Sequence, residues 1–183
     1  MSKENTQFAI LGLLTIGCQT GYSIKQTMDG SLNHFWKISY GQIYPTLKNL
    51  VDSGYASVQD TSQEGKPDKK EYHITAKGKA ALKEWLQDPI LDLATDKNEL
   101  LLKLFFSRHQ DSAQTMELLD SYKEKLTIRH GTFQAISNRI NENCTQDADA
   151  PFWLMTLDYG LCTTKAAIDW CEKTKIKLQS KER

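Results

Sequence analysis

The stretch Ser39-Tyr-Gly-Gln-Ile-Tyr-Pro-Thr-Leu-Lys-Asn-Leu50 decides the reading of the whole chain. Ser39 is a helix-capping residue type. Gln42 lies three positions on, where its side chain returns a bond to the cap, the S-x-x-Q form of a capping box. Ile43, Leu47 and Leu50 then follow at the i, i+4, i+7 spacing of one helical face. At about 100° per residue, Gly41, Gln42, Pro45, Lys48, Asn49 and Asp52 project from the opposite face, with Tyr44 at its flank and Tyr40 nearer the inner side. Amides pair with adenine edges, and lysine reaches guanine or phosphate, so these residue types suit a helix that reads a DNA groove. They equally suit an ordinary amphipathic surface helix. Pro45 breaks a local rule. Inside a regular helix it removes the bond to the Gly41 carbonyl, at a cost of about 3 kcal/mol, so a kink or an irregular first turn is expected.

Working outward on the N-terminal side, Phe8–Ile16 is apolar nearly all round, as a short buried helix is, and Gly17 is a natural stop. Thr20 or Gly21 opens a second helix, Tyr22–Met28, with Ile24 and Met28 on its inner face and Gly30 as its expected end. Phe35 and Trp36 precede the Ser39 cap, and either fill the core beneath the next helix or form one wall of a ligand pocket. On the C-terminal side Gly54 stops the helix. Tyr55–Asp60 and Lys70–Thr75 read as strands, and residues 61–68 are dense in turn formers. The result is a hairpin whose flexible tip carries Lys66, Lys69 and Lys70. Thr75 caps a further helix, Ala76–Leu86, anchored by Leu82, Trp85 and Leu86. Helix, helix, helix, hairpin, helix is the order of a winged helix-turn-helix. In that fold the third helix enters the major groove and the hairpin lies on phosphates or in the neighbouring minor groove.

The motifs Leu11-Gly-Leu-Leu, Gly21-Tyr-Ser-Ile, Phe35-Trp36, Gln42-Ile-Tyr-Pro-Thr-Leu-Lys-Asn-Leu50, Gly54-Tyr55, Lys69-Lys-Glu-Tyr-His-Ile-Thr-Ala-Lys-Gly78 and Leu82-Lys-Glu-Trp-Leu occur together and in order. In this the chain resembles the PadR family of bacterial transcriptional regulators, densely over residues 7–88 and more loosely to the C-terminus. The stretch Gln63-Glu-Gly-Lys-Pro-Asp-Lys-Lys-Glu-Tyr is similar to the AphA-like members, and the length suits the long-form branch. The resemblance implies a mainly α fold with a small β-hairpin. Residues 1–88 would form a winged helix-turn-helix DNA-binding domain, and residues 89–183 an α-helical dimerisation domain that also senses an effector in some members.

The second half supports a dimer on its own terms. After a connector at Pro89–Thr95, Asp96 is a candidate cap for a helix carrying Leu100, Leu101, Leu104 and Phe105. A long helix follows from about Ala113 to Asn143, with Leu119, Tyr122, Leu126, Phe133, Ile136 and Ile140 at three- and four-residue steps. Pro151 opens the last helix, whose stripe is Leu157, Leu161, Thr164, Ile168, Cys171 and Leu178. Two such seams make a thin core alone, and a second copy closes a four-helix arrangement. Leu119, Tyr122, Leu126, Phe133, Ile136, Leu157, Leu161 and Ile168 are the expected dimer contacts. A two-fold pair of reading helices also matches a palindromic operator in double-stranded DNA.

Composition narrows the alternatives. Formal net charge is zero, and between Lys37 and Lys83 eight lysines face five carboxylates, a mild basic surplus rather than a strongly basic domain. No apolar run approaches the ~20 residues that span a bilayer, and no cleavable signal follows Phe8–Ile16 in frame, so a cytoplasmic protein is expected. Cys18, Cys144, Cys162 and Cys171 are scattered, as reduced packing residues are. The four histidines share no metal-ligand spacing, and there is no GxSxG, P-loop, GxGxxG or HExxH, so no catalytic residue, metal or cofactor is expected.

The expected DNA contacts are Gln42, Tyr44, Lys48 and Asn49, then Tyr40, with Lys66, Lys69 and Lys70 on the wing and Lys25 as a phosphate contact from the second helix. Tyr22, Trp36, Trp153, Tyr159 and Trp170 are the candidate lining of an effector cavity, or else they pack the seams. The resemblance implies a repressor released by a small aromatic effector such as a phenolic acid. Two alternatives stand beside it: an AphA-like activator without an inducer, and a winged-helix protein-interaction module without a specific DNA site.

Overall fold

The computed structural model describes residues 3–63, 66–91 and 97–181. The chain divides into two compact units, residues 1–93 and 94–183.

In the first unit, α1 (Lys3–Thr15), α2 (Gly21–Thr27) and α3 (Tyr40–Asp52) precede an antiparallel pair, β1 (Ala56–Gln63) and β2 (Lys66–Ile74), and then α4 (Ala76–Gln87). Helix α1 starts five residues earlier than its apolar run and packs on α2, α3, α4 and β2. Ile10, Leu11, Leu13 and Leu14 are buried, whereas Ile16 lies past the helix end and is 41% exposed. They meet Ile24, Met28, Ile43, Leu47 and Leu50 in one core, where each fully buried aliphatic side chain is worth roughly 1.5–3 kcal/mol. Phe8 joins from the edge, stacked on Trp85 at 4.8 Å between ring centroids.

Three expectations for this unit are corrected. Gly30 does not end the second helix. The chain continues through it as a π-helical turn, Met28–Leu32, whose buried residue is Met28. Phe35 is 56% exposed and Leu86 68% exposed, so neither fills the core; Trp36 and Leu82 pack against it instead. The hairpin is longer than expected. Residues 61–63 and 66–68 belong to the strands, with a register irregularity between Thr61 and Gln63, because ladder bonds outweigh the turn preference of single residues. Only Glu64 and Gly65 lie between the strands, outside the described residues. Helix α3 runs from Tyr40 to Asp52 with Pro45 inside it, and its first turn includes a three-residue bond from the Gln42 amide to the Ser39 carbonyl at 2.9 Å.

In the second unit α5 (Glu99–Phe105) is followed by a 3-10 turn (Ser107–His109), α6 (Ser112–Asn143) and α7 (Ala150–Lys181). Asp96 lies outside the described residues. The cap of α5 is Asn98, which accepts from the Leu101 amide at 3.2 Å and donates to the Tyr122 hydroxyl at 3.0 Å. Asp111 and Gln114 form the capping box of α6. Helices α6 and α7 have 32 residues each, roughly 48 Å. They lie antiparallel, as the pairs Phe133 with Gly160, His130 with Thr164, Lys123 with Glu172 and Asp120 with Lys175 show. Leu100 of α5 joins Leu119, Leu126 and Cys171 of the long helices in the buried centre of this unit.

Candidate nucleic-acid interface

The cap of α3 sets its geometry. The Ser39 amide donates to Gln42 Oε1 at 3.0 Å and the Ser39 hydroxyl donates to the same oxygen at 3.1 Å. Ile43 and Leu47 are fully buried and Leu50 nearly so, which fixes the inner face. Gly41, Gln42, Tyr44, Pro45, Lys48, Asn49 and Asp52 are exposed, together with Tyr40, so the sequence pattern and the solvent face coincide. Thr46 turns its hydroxyl back to the Gln42 carbonyl at 2.7 Å.

The neighbouring helix is locked to α3 by contacts of two kinds. A Cβ on Gly21, at the start of α2, would sit 2.7–2.9 Å from two ring carbons and the hydroxyl oxygen of Tyr44. Tyr44 is 53% exposed, so the flank of its ring seats on α2 while the remainder faces solvent. Lys25 on α2 pairs with Asp29 and lies over the Tyr40 ring at 5.7 Å. Its side chain is 18% exposed, and these contacts hold it between α2 and α3.

In the wing, Lys70 is exposed and registers opposite Asp60, Lys69 opposite Thr61, and Lys66 opposite Gln63. The side chains of Lys66 and Lys69 lie outside the described residues. The first turn of α4 is tied to the exit of α3 by Lys77, which donates to the Ser53 carbonyl at 2.8 Å and lies over the Tyr55 ring at 5.0 Å. Sequence reasoning missed Lys77 and the Gly21–Tyr44 seat; both act across elements, where no local spacing signals them. It also passed over the exposed Lys37, two residues before the cap.

Within its own unit, each aromatic candidate has a different setting. Tyr22 is 65% exposed. Trp36 packs on the core of the first unit with its indole N–H buried and unpaired. On α7, Tyr159 and Trp170 are eleven residues apart and share a face roughly 16 Å apart, while Trp153 projects about 120° away from Tyr159. A cavity of about 660 Å³ does occur in the second unit, but between α5 and α6, lined by Leu102, Lys103, Phe106, His109, Gln114 and Leu118 among others.

The expected dimer residues are also reassigned. Leu119, Leu126, Phe133 and Leu157 are at most 8% exposed within a single chain, because α6 and α7 bury them against each other. Tyr122 and Ile168 pack against the same cluster. Ile136 and Leu161 are half-buried. The apolar residues left exposed on α7 are Phe152, Met155, Tyr159, Trp170 and Ile176.

The first unit is thus a winged helix-turn-helix with a polar reading face, and the second a long helical hairpin, the build of a two-part transcriptional regulator. Residues 10–84 match the transcriptional regulator PadR-like family, and residues 97–179 match the virulence activator alpha C-terminal family. The chain is 33% identical over 172 residues to the negative transcriptional regulator PadR of Bacillus subtilis, covering 91% of this chain and 93% of that one. It therefore belongs to the PadR-like family of transcriptional regulators. The structure of Bacillus subtilis PadR in complex with operator DNA superposes with a TM-score of 0.85 at 28% identity, covering 94% of this chain and 98% of that one. The same protein in complex with p-coumaric acid superposes at 0.80 with 24% identity, covering 98% of each. The Vibrio cholerae virulence activator AphA gives 0.73 at 25% identity, covering 95% of this chain and 98% of that one. Among the described residues no helix is long and apolar enough to cross a membrane.

Proposed function

We propose that this chain is a homodimeric, sequence-specific DNA-binding repressor, released from its operator by a small aromatic effector such as a phenolic acid. The observation that carries the reading is α3 itself: a capped helix, pinned by a fully buried inner face, that holds Gln42, Lys48 and Asn49 on solvent beside a two-stranded wing. Residues 1–88 form the DNA-binding part and residues 89–183 the dimerising part. Gln42 and Asn49 address base edges, Tyr44 and Lys48 the groove wall and phosphates, and Lys66, Lys69 and Lys70 the backbone along the wing. The relative bound to operator DNA supports this assignment, and the relative bound to p-coumaric acid supports the effector class. The dimer contact falls on the apolar residues left uncovered on α7, led by Phe152, Met155 and Tyr159. A regulator of this kind works in the cytoplasm, where the chromosome is.

Fluorescence anisotropy on labelled fragments from its own upstream region and neighbouring promoters tests the reading. Selective binding is expected, weakening with salt at a log–log slope of about −0.9 per phosphate neutralised, and lost on adding p-coumarate. Replacing Lys70 by Ala should flatten that slope by about one phosphate and weaken all fragments alike. An effector acts only by binding the two states unequally, so p-coumarate bound without release would refute the effector assignment.

A second reading rests on the match of residues 97–179 to the virulence activator family: an AphA-like activator with no inducer. It predicts selective binding that survives p-coumarate, at a site upstream of the promoter it serves. Weak binding, equal on all fragments and gone at physiological salt, would favour a protein-interaction module instead.

A further inference from the structure

The cap of α3 also restricts what Gln42 reads. Its Oε1 accepts from both the amide and the hydroxyl of Ser39, at 3.0 and 3.1 Å, which uses both lone pairs of an amide oxygen. That oxygen assignment follows from the Ser39 backbone N–H, a donor that an amide nitrogen in the same place could not satisfy. What Gln42 has left on the exposed face is Nε2, two donors and no acceptor. Pairing bidentately with adenine needs a donor for N7 and an acceptor for N6, so it would pull Oε1 off the cap and orphan the Ser39 amide. Cytosine offers a donor, and thymine one acceptor beside a methyl group. Guanine alone presents two adjacent acceptors, N7 and O6.

We infer that Gln42 selects guanine, through its amide nitrogen alone, while its oxygen stays in the capping box. This rests on the reading of α3 as the groove-facing helix. It makes one residue both the start of the reading helix and a specificity determinant, so the base it chooses is dictated by the residue three positions before it.

The experiment is binding-site selection with the purified full-length protein from duplexes randomised across the operator, repeated with Gln42→Glu and Gln42→Ala. Glutamate keeps an acceptor for the Ser39 amide, and so keeps the box, but has no donor to offer a base. The wild type is expected to enrich guanine at one position of each half-site, and both variants to lose that preference. The glutamate variant should melt with the wild type and the alanine variant below it. Replacing that guanine by 7-deazaguanine should weaken the wild type by roughly fivefold or more and leave the glutamate variant unchanged. If the position released by the variants proves to be adenine, the guanine choice is wrong and the inference fails. Selection that is the same for all three proteins overturns it while sparing the DNA-binding reading. No enrichment by the wild type overturns both.

Discussion

Two glycines in the helical hairpin should respond oppositely to one added methyl group. A glycine inside a helix costs about 1 kcal/mol relative to alanine, so Gly→Ala is stabilising wherever the methyl has room. At Gly131 on α6 a Cβ would meet nothing within 4 Å. At Gly160 on α7 it would sit 2.7, 3.0 and 3.1 Å from three ring atoms of Phe133. Phe133 is only 6% exposed, so its ring has little room to turn aside and the contact must be relieved by a shift between the two helices. Overpacking of this kind costs about 1–3 kcal/mol, which cancels or exceeds the helix gain. Gly131→Ala should therefore gain up to ~1 kcal/mol. Gly160→Ala should lose between ~0 and 2, the difference between its gain and its clash. For a unit of this size each kcal/mol moves the melting temperature by roughly 4–8 °C. Urea titrations at one fixed protein concentration resolve the two, because a dimer's apparent stability depends on concentration. If Gly160→Ala proves as stabilising as Gly131→Ala, the close approach of α6 and α7 at Phe133 is refuted.

Gly21→Ala should separate stability from binding. The Tyr44 ring is half exposed and can swing away from the added Cβ, so melting should move little, while operator affinity falls roughly tenfold with the loss of one contact's worth of energy. Circular dichroism and anisotropy on the same sample check this, and unchanged affinity would remove Tyr44 from the interface. Cysteine labelling tests the hairpin's interior. Burial pushes the Cys171 thiol above its ordinary pKa, leaving less thiolate at any given pH, whereas Cys162 is exposed. At about pH 8, iodoacetamide should alkylate Cys162 in the native protein and Cys171 only after unfolding, as read by peptide mass spectrometry; equal rates would contradict the burial.

What was legible in the chain was what local rules control. The Ser39 cap, the inner triad Ile43, Leu47 and Leu50, the Thr75 cap and the left-handed stop at Gly54 each depend on residues within a turn or two of one another. The errors lie where a longer-range competitor won. Turn formers in residues 61–68 gave way to strand pairing, and Gly30 was carried along in a π turn that keeps Met28 buried. Leu119, Leu126, Phe133 and Leu157 have the periodicity of an interhelical seam, but periodicity does not say whether the partner helix belongs to the same chain. Lys25 has the charge of a phosphate contact; its pairing with Asp29 is a local four-residue step, but only the fold places the Tyr40 ring beside it.

The junction after α3 has a mechanical consequence. Within a few residues, the Lys77 ammonium holds the Ser53 carbonyl, the Thr75 hydroxyl donates to the Gly54 carbonyl at 2.7 Å, and the Thr75 amide donates to the Tyr55 carbonyl at 3.0 Å. Gly78 lies so near that a Cβ there would come within 2.1 Å of the Tyr55 carbonyl oxygen. The end of α3, the root of the wing and the first turn of α4 are therefore welded at one point, with no slack to absorb a tilt. A torque applied to α4 is delivered to helix and wing together, so the two parts proposed to meet DNA rotate as one tool rather than being adjusted separately.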